Sequence, residues 1–154
     1  MIEGRLGIDG LRTVADYQFG QGAGPALFAG DLDVERSTSG RPRQIAGPDG
    51  RIATYLTDGR LSLGLEGARR LRAALDPPAY RVVVGEESDP FVRDGRNAFA
   101  KFVRSVDPSV RPGDEVLLVD GDDGLLAVGR AELSARAMVD FETGMAVLVR
   151  HGTG

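Results

Sequence analysis

The chain has 154 residues, 42% hydrophobic and 27% charged, an ordinary globular composition long enough for one domain or two small ones. Without cysteine it can form no disulfide, thiolate nucleophile or cysteine-bound metal site, and none of its apolar runs approaches the length of a membrane span. Its formal charge is −4, with one lysine against eighteen arginines, a bias that fits a GC-rich genome or a salt-rich cytoplasm.

No basic-then-apolar leader is visible, so the expected compartment is the cytoplasm, with no membrane association. Ile2-Glu3-Gly4-Arg5 is the recognition sequence of a protease used to remove affinity tags, and no function is assigned to residues 1–5.

In chain order, Leu11, Val14, Ala15 and Phe19 predict a first helix with Asp9 as its N-cap. Gly20-Gln21-Gly22-Ala23-Gly24-Pro25 ends it. This run lacks the lysine-serine/threonine ending of a nucleotide-binding loop and follows a helix, so it reads as a turn. Leu27-Phe28 and residues 32–36 read as short strands, and Ser37-Thr38-Ser39-Gly40 as a loop. A meander follows: residues 44–46, a turn at Gly47-Pro48-Asp49-Gly50, residues 51–57, a tight Asp58-Gly59 turn, and residues 60–63 returning. Leu65, Ala68, Leu71 and Leu75 mark one face of a helix, with Glu66, Arg69, Arg70 and Arg72 largely off it. Asp76-Pro77-Pro78 stops that helix and is the expected domain boundary.

Beyond it, strands are expected over residues 80–84, 115–120, 125–131 and 144–150. A short helix is expected over 135–141, and a turn at Gly121-Asp122-Asp123-Gly124. Gly113-Asp114 reads as a tight turn with the aspartate bonding local backbone, and Gly129 as a close backbone approach within a strand. No internal repeat is visible. The fold class is α+β: a small α+β unit over residues 1–78, then a β-barrel with one flanking amphipathic helix over 79–154.

That flanking helix is expected over residues 96–106. Phe99, Phe102, Val103 and Val106 fall on one side of it, and Asn97, Lys101 and Arg104 on the other. Arg93, Gly95 and Arg96 would then sit at its N-terminus, where free backbone N–H groups and the helix dipole attract an anion such as phosphate. Phe91, Phe99 and Phe102 read as core-facing, which argues against base stacking. The surrounding charge is less favourable. Residues 1–78 hold ten basic and ten acidic residues, and residues 79–154 nine and thirteen, yet five basic residues face two acids between Arg93 and Arg111. Six arginines of the first half (Arg41, Arg43, Arg51, Arg69, Arg70, Arg72) offer a second, weaker basic face. The acidic groups Asp120/Asp122/Asp123 and Asp31/Asp33/Glu35 lack a calcium-loop pattern and read as solvated. The lone His151 has no catalytic or metal-binding context, so no catalytic residue, metal or cofactor is assigned.

The run from Pro90 to Val103, then Arg111-Pro112-Gly113-Asp114, residues 125–131 and residues 144–150, resembles a PUA domain. Ala15-Asp16-Tyr17-Gln18-Phe19-Gly20, Ser39-Gly40-Arg41, Gly59-Arg60-Leu61-Ser62-Leu63 and Glu66-Gly67-Ala68 resemble the domain preceding PUA in archaeal tRNA-guanine (archaeosine) transglycosylases. The resemblance implies RNA binding through the loop and helix, here Gly95, Arg96, Asn97 and Lys101, and the last strand, here Val149, Arg150 and His151; with the charge pattern added, phosphate contact by at least two of Arg93, Arg96, Lys101 and Arg104 is expected. It implies the tRNA acceptor end as partner, and a non-catalytic role alongside an RNA-modification enzyme. The chain has no room for the family's (β/α)8 catalytic barrel and no cysteines for its zinc site. The alternative is a module whose barrel binds a protein rather than RNA, which acidic side chains flanking the basic edge would favour.

Overall fold

The computed structural model describes residues 6–154; residues 1–5, with the tag-like motif, lie outside it. The chain divides into two compact units between Leu75 and Asp76.

The first unit opens with α1 (Ile8–Phe19), whose Leu11, Ala15 and Phe19 are buried. Gly7, not Asp9, is the N-cap, and Asp9 lies in the first turn, where its charge suits the helix dipole. The glycine-rich run ends α1 as expected, but a second helix, α2 (Ala23–Leu27), replaces the strand expected at Leu27-Phe28. Pro25 sits in its first turn, where no intrahelical N–H is lost. Tight helix packing selects this outcome. Gly24 lies so close to α1 that a Cβ there would come 2.2 Å from the Arg12 carbonyl oxygen.

Strands β1 (Asp33–Arg36), β2 (Pro42–Gly47), β3 (Gly50–Tyr55) and β4 (Leu61–Leu63) form an antiparallel meander in chain order. Ile45, Ile52, Leu61 and Leu63 point into the core. The β3–β4 turn closes through the Asp58 carboxylate, which accepts from Arg60 N at 2.9 Å. Helix α3 (Leu65–Ala74) buries Ala68 and Leu71 as its apolar stripe requires. Its polar face is less solvated than expected, because Glu66 and Arg70 pair at 3.1 Å and are only 11% and 17% exposed.

The second unit holds β5 (Arg81–Val84), α4 (Asp89–Arg93), β6 (Ala98–Phe99), a 3-10 turn at Ala100–Phe102, β7 (Val103–Val106), β8 (Glu115–Val119), β9 (Leu125–Ala131), α5 (Ala135–Asp140) and β10 (Met145–Gly152). One six-stranded sheet runs β6-β10-β9-β8-β5-β7, antiparallel except for β5 alongside β8. Its two edge strands, β6 and β7, are joined by the three-residue 3-10 turn, so the sheet curls into a nearly closed barrel. Val82, Val116, Leu118, Leu126, Met138 and Val147 fill it.

The amphipathic helix expected over residues 96–106 does not form. The chain there is strand, turn and strand. Ala98 and Ala100 point inward while Phe99 is 49% exposed, a period of two rather than 3.6. Pairing with distant partners selects this: β6 on β10 and β7 on β5 satisfy backbone groups that a helix would satisfy locally.

Candidate nucleic-acid interface

Asp89-Pro90 starts α4, with proline in the first turn, and the helix ends within five residues. Asp94 N donates to Pro90 O at 3.2 Å, Gly95 N to Val92 O at 2.9 Å and Arg96 N to Phe91 O at 2.9 Å. Gly95 turns the chain at φ +96, a conformation that side chains disfavour. Arg93, Gly95 and Arg96 therefore stand at the C-terminal end of a helix, not at an N-terminus. The dipole there has the wrong sign for an anion, and the Gly95 and Arg96 N–H groups are already bonded, which overturns the expected backbone phosphate cradle.

This turn is seated on the last strand. Gly154 N donates to Arg93 O at 2.9 Å, and Val149 N donates to Asn97 Oδ1 at 2.9 Å. Gly152 lies against the turn so closely that a Cβ would come 2.1 Å from Arg93 O and 2.8 Å from Gly95 N. The β9–β10 register shifts between Val149 and His151, leaving Arg150 in a bulge. The fold thus brings Arg93, Gly95, Arg96, Asn97, Arg150 and His151 to one end of β10.

Their roles differ. Asn97 is a brace, not an amide offered to solvent. Arg150 reaches across β9 to grip Glu115 on β8 with two bonds of 2.7 and 2.8 Å, and Glu115 is only 6% exposed. Arg93 pairs with Asp89 at 3.0 Å. The hydrogen bond that Arg93 donates to Asp89, and then the Asp89 charge, hold the Arg93 pKa above its ordinary value, so it is cationic at any physiological pH. Arg96 and His151 are exposed, and the Arg96 guanidinium stands 5.9 Å from the centroid of the Phe91 ring.

Lys101 and Arg104 are not part of this group. Lys101 rides the 3-10 turn beside Gly144, at the opposite end of β10, with Nζ 5.0 Å from the Phe102 ring. Arg104 lies on β7, the far edge of the sheet order, and is ion-paired with Glu87. Phe91 is 54% and Phe99 49% exposed, so neither is the core residue expected. The sequence reading missed Phe91 as a surface aromatic; the Ser88-Asp89-Pro90 helix-start signal would have placed it on a short helix.

The other acidic groups are occupied locally. Asp120 Oδ1 accepts from Asp122 N and Gly124 N at 2.9 and 2.8 Å, and Asp123 pairs with the buried Arg81 at 3.0 Å. Asp31, Asp33 and Glu35 are exposed. Among the described residues no group of three or more His, Asp or Glu side chains is placed to hold a metal ion. In the first unit, Arg70 donates to the carbonyls of Leu27 and Ala29, and Arg51 to Thr54 Oγ1, so the first-half arginines do not share one basic face.

Comparison with known proteins fits this architecture. Residues 9–78 match the patch-forming domain C2 of tRNA-guanine transglycosylase, and residues 80–153 match the PUA domain. The chain carries a PUA domain after a C2-type domain. It is 50% identical to the tRNA-guanine(15) transglycosylases of Methanothermobacter thermautotrophicus and Pyrococcus furiosus, over 94% and 92% of its length. It spans 22% and 24% of those relatives, within their C-terminal region. A conserved PUA domain protein from Thermoplasma acidophilum shares the fold, with a TM-score of 0.63 and 22% identity over 97% of this chain and 92% of that one. A hypothetical protein of Pyrococcus horikoshii does so with a TM-score of 0.66 and 21% identity over 94% and 89%. This PUA-domain protein has a C2-type unit before its barrel. Among its described residues no helix is long and apolar enough to cross a membrane.

Proposed function

We propose that this PUA-domain protein is a non-catalytic, cytoplasmic RNA-binding protein that docks tRNA, by its acceptor end, for a modification enzyme. Contact runs along β10 and the turn seated on it, within the second unit. The observation that carries this is the Gly95 turn. It is bolted to β10 by Asn97 and Gly152, and it presents Arg96 beside the exposed Phe91 ring. A cation next to an exposed aromatic suits an unpaired nucleotide, with its phosphate on the guanidinium and its base on the ring. Lys101 adds a second cation at the other end of the strand. Neither Arg96 nor Lys101 is ion-paired with a described residue, unlike Arg93, Arg104 and Arg150.

Labelled bulk tRNA titrated into the protein and into the double variant Arg96→Glu/Lys101→Glu, at low and high salt, tests this. Saturable binding that weakens with salt and collapses in the variant is expected. No binding at low salt would refute it.

A second reading has its own observations. Asp89 and Glu87 flank the basic edge, and Phe99, Val139 and Phe141 are each about half exposed, which suits a barrel docking a protein. Retained capture of a modification enzyme by a variant that no longer binds tRNA would favour it.

A further inference from the structure

The barrel unit carries a groove that the RNA contacts proposed above do not use. It has a volume of about 530 Å³ and lies over β5, between β7 and β8. In register, Val83 of β5 stands between Ser105 of β7 and Val119 of β8, and with Pro108 they give the groove a mainly apolar floor. Its acids lie at two corners. Asp107 follows β7 and donates its N–H to Arg81 O at 3.0 Å, at the start of β5. Asp120 follows Val119 at the other end of β5, with Asp122 beside it in the turn. Three residues along β5 and two strand spacings across it set these corners about 10–15 Å apart. Arg81, the one cation among the described lining residues, is already paired, with Nε and Nη2 donating to the two oxygens of Asp123 at 3.0 and 3.1 Å. Asp107, Asp120 and Asp122 have no ion pair with a described residue. Asp107 is only 9% exposed, and its oxygens accept from Tyr80 N at 2.8 Å and Ser109 N at 2.9 Å. Neutral donors offset only part of the cost of burying a carboxylate, so this charge lacks a counter-cation.

We propose that this groove binds a free aliphatic polyamine of the spermidine class, with one terminal ammonium at Asp107, the other at Asp120 and Asp122, and methylenes on Val83 and Val119. Such a ligand runs cation, alkyl chain, cation, and the lining runs acid, apolar floor, acid. Its extended reach, about 11 Å by ordinary bond lengths, matches the span between the corners. Carboxylates so far apart do not suit a divalent metal, which needs converging oxygens, and among the described residues no three acidic or histidine side chains are placed to hold one. A single lysine side chain would reach one corner and leave the other bare. Asp120 lies near enough to Arg93 for its charge to act there, so an amine at that corner neutralises acidic charge beside the arginine edge. The inference does not depend on the RNA-binding reading.

The test titrates the intact chain, without RNA, with spermidine, putrescine, Mg²⁺ and trilysine at physiological salt, followed by calorimetry and by NMR of the valine methyls. Spermidine should fill one saturable site and shift the Val83 and Val119 signals. Putrescine, too short to span both corners, should bind about tenfold more weakly. Asp122 is exposed and makes no described bond, and Asp120→Asn keeps the Oδ1 acceptor that the turn's N–H groups need, so both variants should melt with the unaltered chain. Asp122→Asn should weaken spermidine binding about threefold, and Asp120→Asn/Asp122→Asn about tenfold. Absence of a saturable site, equal affinity for putrescine or Mg²⁺, or unchanged affinity in the double variant would overturn the proposal. Tighter binding of trilysine than of spermidine would also overturn it, and would give the groove to a basic segment of a protein.

Discussion

Gly152 and Gly95 do different work at the same point. Gly152 lets two stretches of backbone touch, and Gly95 supplies a positive φ at the turn. Gly152→Ala should destabilise the protein by about 1–3 kcal/mol in chemical unfolding, because the atoms in its way are backbone that cannot step aside. It should also weaken tRNA binding by displacing Arg96. The Arg150–Glu115 pair has the character of an internal bolt rather than a ligand contact. Arg150→Met, which strands a nearly buried carboxylate, is expected to cost about 3 kcal/mol. Adding Glu115→Leu should recover most of that loss, whereas a phosphate-binding Arg150 would show reduced RNA affinity in the double variant at restored stability. Arg93 cannot act as a pH sensor. Its raised pKa means the guanidinium's contribution is fully present below the ordinary arginine value and is lost as pH rises through a still higher one. Stability between pH 6 and 9 should carry no step from this pair.

Asn97 shows how one side chain decides an element's fate. Its Oδ1 takes the Val149 N–H that the β10 bulge leaves without a ladder partner, and so fixes where β6 begins. Asn97→Ala should cost about 1–3 kcal/mol through that unsatisfied donor, with faster hydrogen exchange at Val149 as the local signature. The stretch after it was misread as a helix for an identifiable reason. Phe99, Phe102, Val103 and Val106 satisfy a 3.6-residue period, but that period weighs large apolar residues and ignores small ones. The inward residues are in fact Ala98 and Ala100, alternating with the exposed Phe99 and Lys101. The meander of the first unit was legible because each of its turns carries its own chemistry: Gly47-Pro48-Asp49-Gly50 and Asp58-Gly59 close hairpins without help from remote residues.

At the scale of the whole molecule, the acidic composition limits how it can bind RNA. Six of the eight arginines of the barrel unit are ion-paired with a described Asp or Glu, which leaves few cations to displace counterions. If Arg96 and Lys101 carry the contact, the log–log salt slope should be shallow, at roughly −1 to −2. A slope near −8 would show that basic residues outside these sites take part. Strong dependence on the exposed ring is expected as well, so Phe91→Ala should weaken binding by about 1–3 kcal/mol without altering the slope.

Local patterns in the chain were enough for its α+β class, the hairpin meander, the stripe of α3, the strands β5, β8, β9 and β10, and the kinship with PUA proteins. All of these depend on signals contained within a few residues, such as turn chemistry, alternation and short motifs. The tertiary structure alone decided that residues 98–106 are strands, that α4 presents its C-terminal end to the candidate site, and that Asn97 and Arg150 brace the barrel. It also decided that Lys101 and Arg104 stand apart from Arg96. The strand pairing of residues 98–106 and the bracing by Asn97 and Arg150 depend on partners about 20 to 50 residues away. No local period encodes which distant backbone group will claim a hydrogen bond, or which carboxylate will claim a guanidinium.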